Sequence, residues 1–185
     1  MTRDVKMDNF VETLESMAAD TFNKADVQAY LEQTRISAET LSPYLHYKAD
    51  HYTRNLVYKS AAFEILVICW AIGQQAPIHG HEGELCWARV ERGKLRFTNY
   101  RLVSESPLKL ELLNAAVDGI EGHLDGPADL HAVENCAAFG ANAASVHVYS
   151  RPYAECDIYD LVRGEKQRVQ MAYDTVYGKP IRQSS

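Results

Sequence analysis

The stretch Gly73-Gln74-Gln75-Ala76-Pro77-Ile78-His79-Gly80-His81-Glu82-Gly83-Glu84-Leu85-Cys86-Trp87-Ala88-Arg89-Val90-Glu91-Arg92-Gly93 carries the densest set of clues in the chain. At its centre, His79 and His81 stand two residues apart. Alternate side chains of a β-strand project from one face, so both imidazoles can reach the same cation. Beyond them, Trp87 to Glu91 and Lys94 to Val103 read as strands, and Arg92-Gly93 between them reads as a tight hairpin. Two histidines on a half-exposed strand are common without a metal, so the weight falls on what surrounds them.

Strand patterns dominate from Arg54 onward. Phe63-Glu64-Ile65-Leu66-Val67-Ile68-Cys69-Trp70 is rich in β-branched and aromatic residues, the composition of a buried strand. Leu108 to Val117, Ala143 to Ser150 and Arg168 to Tyr173 add further strands, with Asp118-Gly119 and Asp125-Gly126-Pro127 as joints. Upstream the period changes. Phe10, Leu14 and Met17 recur at helical spacing, as do Val27, Tyr30 and Leu31 in a second segment, with Asn23 placed to cap it and Asp26 in its first turn. A short third segment starts at Ser37 and stops before Pro43. The expected architecture is mainly β: one domain over 1–185, a helical layer over 1–45 packed on a small β-barrel or jelly roll over 52–175. Strands and helices do not alternate, which argues against a parallel α/β sheet.

Composition narrows the function class. The 185 residues carry a net charge of -6, without the basic stripe that a nucleic-acid surface needs. The longest apolar run, Phe63 to Ile72, falls short of the roughly 18 residues of a membrane helix and contains Glu64. Asp8, Glu12 and Glu15 stand where an export signal would be apolar. Cys69, Cys86, Cys136 and Cys156 are too scattered for a disulfide scaffold. A cytoplasmic, monomeric protein without nucleic-acid or membrane partners is expected.

The spacing around the two histidines is more telling. Gly73, His79-x-His81, Cys86 and Gly93 fall at the intervals of the first cupin motif, except that the motif has a glutamate where Cys86 stands. His131 and Asn135 match the end of the second motif, whose preceding proline and glycine are poorly kept. His79, His81 and His131 are therefore the expected metal ligands. Three imidazoles form a neutral set that leaves the metal its full charge and favours an anionic ligand such as a thiolate. Such a set suits iron but also zinc, nickel or copper. His46 and His51 lack a spacing partner and read as structural, and His123 reads as a surface residue. Ser145, His147 and Tyr149 alternate with Ala144, Val146 and Val148, so the polar three share a face, either solvated or forming a hydrogen-bonded relay.

From Tyr52 to Met171 the chain resembles the cysteine dioxygenase family. Tyr52-Thr53-Arg54-Asn55-Leu56-Val57, Cys69-Trp70, His79-x-His81, Cys86, Leu130-His131-x-Val133-Glu134-Asn135 and His147-x-Tyr149-Ser150 occur in the family's order. The resemblance implies Fe(2+) on the three histidines and oxidation of L-cysteine by dioxygen to cysteine sulfinic acid, a step of cysteine catabolism. It implies that Arg54, beside Tyr52, holds the substrate carboxylate, as a bidentate guanidinium suits. It also implies a catalytic Ser145-His147-Tyr149 relay and a possible thioether bond between Cys86 and Tyr149, and it places Cys156 near the pocket entrance. Two rivals stand beside this reading: oxidation of another small thiol acid such as 3-mercaptopropionate, and a metal-binding cupin without turnover. A cupin isomerase using zinc or manganese is weakened by the missing glutamate. One departure is local. Ser150-Arg151-Pro152 replaces the family's Ser-Pro-Pro, which is expected to alter the pocket wall and to bring Arg151 near the substrate.

Overall fold

The computed structural model describes residues 2–18, 22–127 and 129–181. The N-terminal part holds β1 (Arg3–Val5), α1 (Met7–Ala18), α2 (Lys24–Gln33), β2 (Thr34–Ile36) and α3 (Ala38–Leu41). Phe10 and Leu14 of α1 and Val27, Tyr30 and Leu31 of α2 are buried, so the helical period marks the packed faces. Asn23 caps α2, its side-chain oxygen accepting from the N–H groups of Ala25 at 2.8 Å and Asp26 at 3.3 Å. The layer is not purely helical as read, because β1 and β2 pair in parallel. Three-residue strands are too short to show a period. The 3-10 turn Ser42–Tyr44 carries the chain through Pro43, which sits in its first positions, where a missing N–H costs nothing.

The rest is almost all strand: β3 (Thr53–Lys59), β4 (Glu64–Trp70), β5 (Gln75–Gly80), β6 (Cys86–Arg92), β7 (Lys94–Glu105), β8 (Leu108–Leu112), β9 (Val117–Ile120), β10 (Leu124–Asp125), β11 (Leu130–Glu134), β12 (Ala143–Tyr149), β13 (Glu155–Asp160), β14 (Glu165–Gln170), β15 (Thr175–Val176) and β16 (Lys179–Pro180). They form two seven-stranded sheets, one ordered β10-β6-β12-β4-β3-β15-β16, the other β14-β13-β5-β11-β7-β8 with β9 also on β7. Between the sheets lies an apolar cluster that draws Leu66, Ile68, Trp70 and Val90 from the first and Ala76, Leu95, Phe97 and Val133 from the second. This is the cupin-type jelly roll expected from the sequence.

The first sheet is covered on its outer face too. Ile65, Val67 and Cys69 of β4 and Ala144, Val146 and Val148 of β12 pack against the helices. Period two then turns Ser145, His147 and Tyr149 into the barrel, and all three are buried. Arg89 ties the layers together: its Nη1 donates to the carbonyls of Leu31 at 2.7 Å and Thr34 at 2.5 Å, where the C-terminal end of α2 needs donors.

Three strand readings need correction. The strand expected over Arg168 to Tyr173 lies earlier, as β14 at Glu165–Gln170, where it pairs with β13. Arg92-Gly93 is not a hairpin. β6 pairs with β10 and β12, whereas β7 pairs with β8, β9 and β11, so the chain changes sheets there. Gly93 permits the corner: its φ is +75°, and a Cβ would lie 2.7 Å from the carbonyl oxygen of Asn142. The run from Leu108 to Val117 is also interrupted after Leu112, giving β8 and β9, which pair with successive parts of β7.

Candidate active site

His79 lies on β5, His81 just beyond its end, and His131 opposite His79 on neighbouring β11. One ligand atom from each lies within 4.8 Å of the others. The ring centroids are 4.8 to 5.1 Å apart. Second contacts orient two of these rings. His79 Nδ1 lies 2.8 Å from the Pro77 carbonyl and His131 Nδ1 lies 3.0 Å from Asp125 Oδ2, which turns both Nε2 atoms toward the centre. His131 Nε2 is buried with no hydrogen-bond partner, as expected of a nitrogen kept for a cation. Burial, then the neighbouring His131, lowers the His79 pKa to about 3, so it stays neutral and able to donate its lone pair. The donor set thus fits a mononuclear metal with open positions.

A cavity of about 340 Å³ adjoins His79 and is bordered on the first sheet by Arg54, Trp70, His147 and Tyr149, with Tyr52 beside them. Tyr52 stacks on Trp70 with ring centroids 4.7 Å apart. The Arg54 guanidinium is buried, and its Nε has no partner. Burial works against its charge, yet its pKa stays above the ordinary value, so the guanidinium is protonated. The polar face of β12 forms a connected series. Trp70 Nε1–H donates to Ser145 Oγ at 3.0 Å, Ser145 Oγ lies 2.9 Å from His147 Nε2, and His147 Nδ1 lies 3.3 Å from the Tyr149 hydroxyl. Burial pushes the Tyr149 hydroxyl well above its ordinary range and His147 well below, so both are neutral. Cys86 stands directly opposite Tyr149 on β6, and burial followed by the charge of Asp125 raises its thiol pKa.

Other expectations fare differently. Arg151 does not border the cavity: its side chain is 71% exposed and faces Glu84 at 3.9 Å. It leaves β12 at the solvent end, while Ser150 turns back to accept from Leu85 N–H at 2.8 Å. His123 is half-buried against Phe97 rather than a surface residue, with ring centroids 5.5 Å apart. His51, read only as structural, borders the cavity and bonds Asp174. His46 is structural as read, its Nε2 lying 2.9 Å from the Pro43 carbonyl. Cys156 lines the cavity, its thiol donating to the Met171 sulfur at 3.3 Å. Sequence reasoning passed over Asp125, Tyr153 and Asp174. Asp125 carried a usable signal, being a carboxylate close before a ligand histidine. Tyr153, set edge-on to Tyr149 at 5.3 Å, carried none.

A family model described as cysteine dioxygenase type I matches residues 4–162. The chain is 28% identical over 173 residues to cysteine dioxygenase type 1 of Rattus norvegicus, covering 89% of this chain and 83% of that one. It is 27% identical over 164 residues to that of Homo sapiens, covering 87% and 82%. Among solved structures, a conserved protein with a double-stranded β-helix domain from Klebsiella pneumoniae superposes with a TM-score of 0.47 at 14% identity, over 60% of this chain and 81% of that one. A cupin superfamily protein from Desulfitobacterium hafniense gives 0.44 at 10% identity, over 58% and 84%. With the family model covering most of its length, the chain belongs to the cysteine dioxygenase type I family.

Proposed function

We propose that the protein is an iron-dependent thiol dioxygenase that converts L-cysteine and dioxygen to cysteine sulfinic acid. Two S–O bonds form, the O–O bond breaks, and the thiol proton ends on the sulfinic acid or in solvent. One observation carries the reading: a single cavity is bordered both by His79 of a three-imidazole set and by a buried guanidinium whose Nε lacks a partner. His79, His81 and His131 would hold Fe(2+), which supplies the redox chemistry that a thiol and dioxygen need to react.

The chain's own residues bind and orient. Arg54 receives the carboxylate, and Tyr52, stacked on Trp70, closes the wall beside it. This anchoring holds the thiol near the metal in one orientation. Because Trp70 already donates to Ser145, the serine proton can point to His147 Nε2. The imidazole proton then sits on Nδ1 and faces the Tyr149 oxygen, which leaves the tyrosine proton to donate toward the reacting sulfur and oxygen. The opposed positions of Cys86 and Tyr149 also support a thioether bond between them, in which dioxygen would take the two hydrogens lost, a mass difference that mass spectrometry of the joined peptides would read. The test of activity is reconstitution of the purified protein with ferrous iron, followed by oxygen uptake and product mass with L-cysteine and 3-mercaptopropionate. Uptake with cysteine and a product heavier by two oxygen atoms is expected. Uptake with 3-mercaptopropionate alone would overturn the substrate assignment, and binding of cysteine without uptake would overturn the activity.

A further inference from the structure

Residues 173–177 run along the edge of the helix-backed sheet, beyond the residues 4–162 that the family model matches. They are fastened closely. The Tyr173 hydroxyl donates to Glu64, Thr175 Oγ1 donates to Asn55 Oδ1 at 2.9 Å, and Tyr177 N–H donates to the Leu56 carbonyl at 2.8 Å. Asp174 grips differently, holding a single residue from both sides. Its N–H donates to the Arg54 carbonyl at 2.8 Å, and its Oδ2 accepts from the Arg54 N–H at 3.0 Å. Its Oδ1 accepts from Lys48 Nζ at 2.7 Å and lies 2.9 Å from His51 Nε2. Both carboxylate oxygens are therefore engaged, and the carboxylate cannot turn without breaking a charge-assisted bond.

Apart from a hydrogen bond with the Tyr149 hydroxyl, the Arg54 side chain has little to hold it. Its buried Nε has no partner, and it forms no ion pair with a carboxylate among the described residues. A guanidinium in that position takes much of its placement from its backbone. We propose that Asp174 is a positioning residue that fixes the Arg54 backbone, and through it the preference of the cavity for thiols bearing a carboxylate. This rests on the reading of Arg54 as the carboxylate anchor and extends it to a segment outside the matched region.

The test compares L-cysteine with cysteamine, which has the same thiol and amine but no carboxylate. Binding of each to the iron-loaded protein is measured by anaerobic calorimetry, with oxygen uptake and melting temperature recorded alongside. The wild type is expected to prefer cysteine. Asp174→Ala should reduce that preference about tenfold while cysteamine affinity holds, the effect of losing one well-placed charge-assisted anchor. Thr175→Ala, which loosens the same segment without touching Arg54, should lower the melting temperature and keep the preference. A preference unchanged in Asp174→Ala, or lost equally in Thr175→Ala, overturns the proposal. If Asp174→Ala does not fold, Asp174→Leu decides. It keeps the bulk but offers no acceptor to the Arg54 N–H, so a reduced preference supports the proposal and an unchanged one overturns it. A wild type that prefers cysteine but takes up no oxygen would remove the dioxygenase reading and leave the role of Asp174 to the binding ratios. A wild type without preference overturns Arg54 as anchor, and Asp174 with it.

Discussion

The two sheets of the barrel divide the work of the site unequally. His79 and His131 lie on the second sheet, with His81 just past the end of β5. Arg54, Trp70, Cys86 and the Ser145-His147-Tyr149 series lie on the first. The first sheet is buried on both faces, and every residue of β4 and β12 is inaccessible. The second backs onto solvent, and β8 and β14 are largely exposed. The residues proposed to orient the substrate thus stand on a wall held by packing from both sides. The proposed metal ligands stand on a thinner wall, their rings set by hydrogen bonds, including one from His131 to Asp125 of β10, which belongs to the first sheet. If this division is real, damage to one sheet should leave the function of the other measurable.

The largest effect should come from His131→Ala. It should weaken metal binding by more than about a hundredfold, since even outer-shell partners of ligands cost 10–100-fold. Oxygen uptake should vanish, while cysteine-independent melting of the metal-free protein is little changed. Arg54→Ala should do the converse: metal content stays at wild-type level, and the KM for L-cysteine rises about thirty- to a hundredfold, the loss of a charge-assisted pair. Metal analysis and oxygen-electrode kinetics on the two variants check the division directly. Asp125→Asn joins the sheets and should lie between them, with metal affinity reduced about tenfold in a chelator competition and the KM unaffected.

A gentler probe is pH. Burial depresses His79 to about 3 in the folded chain, against an ordinary 6.5. Above the ordinary value neither state binds the proton. Below it the unfolded chain takes up a proton that the folded chain refuses, so stability of the metal-free protein should fall from about pH 6.5 toward about 3. Thermal melts across that range test it, and the loss should be smaller in His79→Gln, with the buried His147 supplying a further part. The smallest effect is expected from Ser145→Ala. It leaves the Trp70 N–H buried and unpaired, costing about 1–3 kcal/mol in denaturant melts, with a few-fold loss of kcat through the relay.

The residues that the sequence made legible are those whose spacing is itself the chemistry. His79 and His81 stand two residues apart across the end of β5, and Ser145, His147 and Tyr149 are placed inward by period two alone. What local pattern cannot report is which sheet a strand joins. Trp87 to Glu91 and Lys94 to Val103 have good strand character, yet they diverge at Gly93 because their partners lie elsewhere in the chain. Arg151 misled for a related reason: adjacency to Tyr149 in sequence says nothing of the bend that turns Ser150 back onto Leu85. Asp174 was invisible because its partner, Arg54, is 120 residues away. Side-chain type gave no hint of a contact made through the backbone.

The most direct test of the account is oxygen uptake by the iron-reconstituted protein with L-cysteine, run beside Arg54→Ala of equal iron content. One sulfinate should form for each dioxygen consumed, and the rate of the variant should recover toward wild type only at much higher cysteine. A wild type that binds iron and cysteine yet consumes no oxygen, or an Arg54→Ala variant with an unchanged KM, would contradict it.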